Sequence, residues 1–145
     1  MNRSRATCWL ALLSLGAAAP AHAQVASAPP CGTIVLFDRN VNAEHVFPVG
    51  VIDIDGKQPF RMRSSYALAP GKHVLKVGEK APQAELSYQV QRNPNRSIRN
   101  RSFEIEIKPD MRYVIAAKFD PDRATDPKAY WMPVVLEETA GACKP

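Results

Sequence analysis

Histidine, cysteine and glycine are scarce in these 145 residues, at three, three and seven, against thirteen prolines. No Cys-x-x-Cys pair exists, which excludes a thioredoxin-type redox site, and no Cys/His spacing suits structural zinc. There is no Gly-x-x-x-x-Gly-Lys or Gly-x-Gly-x-x-Gly loop to cradle phosphates, and no Gly-x-Ser-x-Gly elbow for a nucleophilic serine. Aromatic residues make up only 8% of the chain and none lies among its densest arginines, so base stacking on nucleic acid is not expected. No stretch shows sustained helical periodicity. Charged residues at 23% and hydrophobic ones at 46% are ordinary globular proportions, which excludes a disordered or coiled-coil chain.

What is present begins with an address. Arg3 and Arg5 precede an apolar stretch from Cys8 to Ala19, followed by Pro20-Ala21-His22-Ala23. A basic start, a short apolar middle and a small-residue end form a secretory signal peptide cleaved after residue 23. The apolar stretch is about a dozen residues, short of the roughly 20 that span a bilayer, so no transmembrane span is expected in the mature chain. Cys8 stands at the start of the apolar stretch and not after it, which excludes a lipoprotein cysteine there. The style of the leader points to a Gram-negative periplasm. Cleavage removes two cations and no acid, taking the formal net charge from +5 to +3, too mild by itself to imply nucleic acid.

Residues 24–30 are rich in proline and alanine and read as a flexible leader to a single domain over 31–145. Cys31 and Cys143 remain near the two ends of that domain. An even count in an oxidising compartment predicts a disulfide between them, with two free thiols as the alternative.

The domain itself reads as strand after strand. Gly32–Phe37 and Val49–Gly56 are apolar and β-branched, and Asp55-Gly56 is a tight-turn signal. Val51, Asp53 and Asp55 are expected on one face, Ile52 and Ile54 on the other. Ser65–Leu68, Lys72–Val77, Glu85–Gln91, Ser102–Lys108, Met111–Phe119 and Tyr130–Leu136 follow, with Leu86, Tyr88 and Val90 expected to face inward. Pro133 places its strand at a sheet edge or a bulge. Seven or eight short strands predict an all-β protein, an antiparallel β-sandwich of Ig-like or transthyretin-like kind, with a small open barrel as the alternative.

Val51-Ile52-Asp53-Ile54-Asp55-Gly56-Lys57, with Tyr66–Val77 after it, resembles the PEGA-like repeats of bacterial envelope proteins. There a strand ends in an Asp-Gly-type turn, and a Pro-Gly turn launches a strand of the form Lys-His-x-Leu-x-Val, as Pro70-Gly71 and Lys72–Val77 do here. The likeness covers residues 51–77, and Gly78-Glu79 stands where the family commonly has Gly-Tyr. It implies a surface-display or interaction module and carries no site residues.

The densest candidate site is Arg92-Asn93-Pro94-Asn95-Arg96-Ser97-Ile98-Arg99-Asn100-Arg101, expected as a protruding hairpin loop. Guanidinium forks recognise phosphate and carboxylate bidentately, so Arg92, Arg96, Arg99 and Arg101 form the expected anion-facing set. The competing reading is a solvated loop. Three carboxylates, Asp120, Asp122 and Asp126, share one segment, but Pro121 and Arg123 interrupt them and Pro127 follows. A stiffened turn is expected there, with no metal and no cofactor. His73 shares a strand face with Leu75 and Val77 and reads as a packing residue. Tyr130 and Trp131 read as core, the alternative being an exposed pair that grips a sugar ring. No catalytic residue is expected. The function that follows is a non-catalytic envelope accessory module meeting an anionic envelope component. The alternatives are an adaptor that adds a strand to another periplasmic protein at an exposed edge, and a small hydrolase.

Overall fold

Alternation of apolar and polar side chains, the two-residue period of an extended chain, sorts most of this protein into strands with one face buried. The computed structural model describes residues 29–93 and 95–143. The leader 1–23 and most of segment 24–30 lie outside the described residues. Eight strands run in the order β1 (Gly32–Leu36), β2 (Val46–Phe47), β3 (Val49–Ile54), β4 (Ser65–Leu68), β5 (Gly71–Glu79), β6 (Asn100–Ile107), β7 (Met111–Phe119) and β8 (Trp131–Ala140). One short helix, α1 (Tyr88–Arg92), sits between β5 and β6.

Two sheets share the strands. The first is β8-β7-β1-β4, and the second is β3-β5-β6. β8 pairs along β7 from Met111 opposite Ala140 to Phe119 opposite Trp131. β1 and the two-residue β2 therefore share the other side of β7, opposite Arg112–Ile115 and Ala117–Lys118 respectively. The core lies between the sheets. Ile34, Leu36, Tyr113, Ile115 and Phe119 of the first meet Val49, Val51, Leu75, Val77, Ile105 and Ile107 of the second. Phe47, Phe119 and Tyr130 form a chain of rings within it, the first pair tilted and the second edge-on, with centroids 4.6 and 5.4 Å apart. The fold is all-β, a two-sheet sandwich as expected, and its two separate sheets set aside the open barrel.

Three expectations need correction. First, β1 runs parallel to β7, so the sandwich is not wholly antiparallel. Second, Glu85–Gln91 is no strand: Leu86 and Val90 are buried, as expected, but from a 3-10 turn and helix α1, and Tyr88 is exposed. Ser87 caps that helix, its hydroxyl accepting from the Val90 N–H at 3.4 Å. Third, a bulge in β3 between Val51 and Asp53 shifts the register, so that Ile54 rather than Asp53 joins Val51 against the core. Pro133 does lie in an edge strand, since β8 pairs only with β7 among the described residues, and a register shift falls farther along at Leu136.

The ends of the domain are joined. Cys31 and Cys143 form the disulfide, with Cα atoms 5.5 Å apart, linking the residue before β1 to the segment after β8. Beside it, Gly32 passes so close to the β6–β7 turn that a Cβ would lie 2.5 Å from Ile107 Cγ2 and 2.6 Å from the Lys108 carbonyl oxygen. Only glycine fits that approach. At the end of β3, Asp55 and Gly56 have φ of 53° and 76°. Positive φ at both central residues is the signature of a type I′ turn, and Asp-Gly supplies it.

Candidate functional site

The arginine-rich segment is the natural starting place, and it divides. Arg92 ends α1, exposed, with its guanidinium 5.3 Å from the centroid of the Tyr88 ring. Arg96 opens a 3-10 turn, Arg96–Arg99. Arg99 points inward and forks onto Glu79, through Nε to Oε1 and through Nη2 to Oε2 at 3.1 Å. Arg101 donates to the carbonyls of Ile98, Asn100 and Pro127, the last two at 2.9 and 3.2 Å. Its guanidinium also lies over Trp131 and Tyr130, at 5.3 and 5.9 Å. A protruding hairpin of four outward arginines is therefore not what forms: two of the four brace β6 against β5 and β8.

The brace surrounds a buried carboxylate. Glu79 is the last residue of β5 and, by the alternation that buries Leu75 and Val77, faces the core. Its side chain is fully buried, and it accepts from the Ala81 N–H at 2.8 Å and the Tyr130 hydroxyl at 3.2 Å, besides Arg99. A buried charge is tolerable only when paired and hydrogen-bonded, and Glu79 has four donors. The hydrogen bond to Glu79 raises the pKa of Arg99 further. Burial, reinforced by the Glu79 charge, pushes the Tyr130 phenol well up. Arg99 and Tyr130 are thus held in their ordinary protonated forms as donors to the buried carboxylate, which is the chemistry of a structural clamp.

His73 is more than a packing residue. Its Nδ1 lies 2.7 Å from Asp55 Oδ2 and its Nε2 lies 2.8 Å from the Ala69 carbonyl oxygen. Both partners are acceptors, so both ring nitrogens donate, as only the imidazolium can. Partial burial opposes that charge, but the bonds to Asp55 and Ala69 outweigh it and the His73 pKa is raised. Asp55 is lowered, first by the Val74 N–H, which its Oδ1 accepts at 2.8 Å, and then by His73. The Asp55-Gly56 turn and the Ala69-Pro70-Gly71 turn are clasped by this one ring.

The acidic segment behaves as a stiffened turn. Asp120 accepts from the Asp122 N–H at 3.1 Å, while Asp126 accepts from the Lys128 N–H at 2.8 Å and from Arg123 at 3.2 Å. Tyr130 and Trp131 are buried, as the core reading expected.

The most exposed apolar chemistry stands elsewhere. Between the I′ turn and β4 the chain crosses from one sheet to the other through Lys57-Gln58-Pro59-Phe60-Arg61-Met62-Arg63-Ser64. Phe60 is 95% exposed and Met62 81%. The crossover is pinned at both ends. Ile54 and Lys57 exchange backbone bonds of 2.9 and 3.0 Å, the Leu36 N–H donates to the Ser64 carbonyl at 2.8 Å, and the Arg63 N–H donates to the Tyr66 hydroxyl at 3.0 Å. The Arg61 guanidinium lies 5.8 Å from the Phe60 ring centroid. Beside the crossover, a shallow groove of about 550 Å³ is lined by Ile54, Pro59, Phe60, Tyr66 and Leu68. Next to it runs the outer edge of β4, which pairs only with β1 among the described residues. Sequence inspection passed over this segment, although it carries a readable signal. From Gly56 to Gly78 there are Lys57, Arg61, Arg63, Lys72 and Lys76, and no acid.

Set against known proteins, the chain matches no family model, no curated protein and no solved structure, so what the site does must be argued from its own residues.

Proposed function

We propose that this is an exported, non-catalytic module of the Gram-negative envelope, working in the periplasm, that contacts an anionic envelope component. The observation that carries the proposal is the pinned crossover 57–64, where three cations and no acid flank two almost wholly exposed apolar side chains. A disulfide supports export, since such bonds persist in oxidising compartments. The PEGA-like resemblance belongs to the same proposal and rests on the clasped turns at Asp55-Gly56 and Pro70-Gly71. Arg92, exposed at the end of α1, stays in it as a further cation, and Arg96 stays by its place in the sequence. Arg99 and Arg101 leave it, being engaged inside the fold.

The test is co-sedimentation of the exported protein with isolated outer-membrane and peptidoglycan fractions across a salt series. Binding is expected to fall as salt rises, because exposed charges are screened beyond about 8–10 Å at physiological ionic strength. Arg61→Ser with Arg63→Ser should weaken it more than Arg92→Ser with Arg96→Ser. No sedimentation at low salt sinks the proposal.

A second reading is an adaptor that adds a partner's strand at β4. The free outer edge of β4 and the apolar groove beside it favour that edge over β8. β8 is protected by Pro133, a register shift and Glu137-Glu138, devices that discourage edge pairing. Strand addition responds little to salt, so the same series separates the two readings.

A further inference from the structure

Resting on that proposed anionic contact, we infer that its partner is the surface of an anionic lipid bilayer, into which Phe60 and Met62 insert while Lys57, Arg61 and Arg63 pair with lipid phosphates. The argument begins with what water does to these two side chains. The fold buries Phe47 and Phe119 almost completely, yet leaves Phe60 and Met62 the two most exposed large apolar residues among those described. They stand at the tip of a segment fastened by backbone hydrogen bonds at both ends, so little chain entropy is lost when the tip is immobilised.

Their neighbours indicate what covers them. A protein hot spot ordinarily places an apolar anchor in a desolvated pocket, with charges kept to the rim. Here each apolar tip is followed directly by a guanidinium, Phe60-Arg61 and Met62-Arg63, and Pro59 precedes them. Apolar groups alternating with cations suit the boundary between acyl chains and headgroups, where phosphates lie a few ångströms above hydrocarbon. Lys80 lies beside Met62 and Arg63 around a shared recess and adds a further cation; Asp38, the acid lining that recess, has Arg39 next to it. Two signals, apolar insertion and basic attraction, are what stable but reversible surface attachment requires.

The experiment is flotation of the exported protein with phosphatidylcholine vesicles, with and without phosphatidylglycerol. Binding is expected only where phosphatidylglycerol is present. Phe60→Ser with Met62→Ser should weaken partition at least about ten-fold, the fold-change expected on withdrawing two apolar side chains from an interface. Both positions face water, so the variant should keep its thermal midpoint, which is checked first. Phe60→Trp gives a second readout. Trp131 is buried, so the new indole reports by a blue shift on adding anionic vesicles. Envelope fractions that bind while anionic vesicles do not would overturn the lipid inference and leave the proposed function standing. Failure of both would overturn both. Anionic vesicles that hold the Phe60→Ser, Met62→Ser variant as tightly as the parent would overturn insertion. Equal binding to uncharged vesicles would overturn the role given to the cations.

Discussion

His73 shows how much one side chain decides in a β-protein whose turns must stay in register. It joins the I′ turn after β3 to the Pro-Gly turn before β5 through two acceptors, so the clasp needs the imidazolium. Because the folded pKa is raised above the unfolded value of about 6.5, the stabilisation is full below that value and is lost as pH rises through the folded pKa. Asp55 works in the opposite sense. Its folded pKa is lowered, so its contribution is full above about pH 4 and disappears as acid is added. Together they make the clasp complete between roughly pH 4 and 6.5. Thermal midpoints taken from about pH 5 to 9 should decline in the parent protein and decline less in His73→Gln. Parallel pH profiles would show that His73 contributes nothing in its charged form.

At the level of elements, the Glu79 clamp determines where β6 begins. β5 delivers a carboxylate to the core, the 3-10 turn before β6 brings Arg99 to it, and Tyr130, the residue before β8, adds its hydroxyl. Removing Arg99 leaves the carboxylate buried with Tyr130 and the Ala81 N–H as its partners among the described residues. Arg99→Ala should therefore cost about 3 kcal/mol in urea unfolding, the low end for breaking a buried pair. Glu79→Gln in the same chain should recover part of that. A loss under about 0.5 kcal/mol, the range of ordinary surface changes, would return Arg99 to the anion-facing set. This clamp was illegible in sequence because Glu79 ends a strand twenty positions from Arg99, and charged residues in an alternating pattern are read as facing water. Strand positions were legible wherever period two was unambiguous, as in Phe103, Ile105 and Ile107. Leu86, Tyr88 and Val90 alternate too, but Leu86 and Val90 are also four apart, so the same residues satisfy a helical turn, and the Ser87 cap decides for it. Strand direction leaves no mark in alternation, which is why the parallel β1–β7 pair came as a correction. Phe60 and Met62 escaped notice for a related reason: two apolar residues between turn signals build no period.

For the molecule as a whole, the constraint that matters most is the one between its ends. A bond between residues 112 apart removes from the unfolded chain a loop entropy of about 4–5 kcal/mol, comparable with the whole net stability of a small domain. It also ties together β1 and β8, the strands flanking β7, next to the Gly32 approach that permits no side chain. Cys31→Ser with Cys143→Ser should lower the thermal midpoint by roughly 10–20 °C. The same chemistry tests the expected route of the chain. Thiol titration of the denatured exported protein should find no sulfhydryl before reduction and two after it if residues 1–23 are gone, against one and three if Cys8 is retained. Two free thiols in the denatured, unreduced protein without residues 1–23, or three with them, would mean that the bridge does not form in the cell, and the argument for an oxidising compartment would fall with it. A midpoint unmoved by the double substitution would instead place the stability in the sheets, with the bridge locking ends already held by β7.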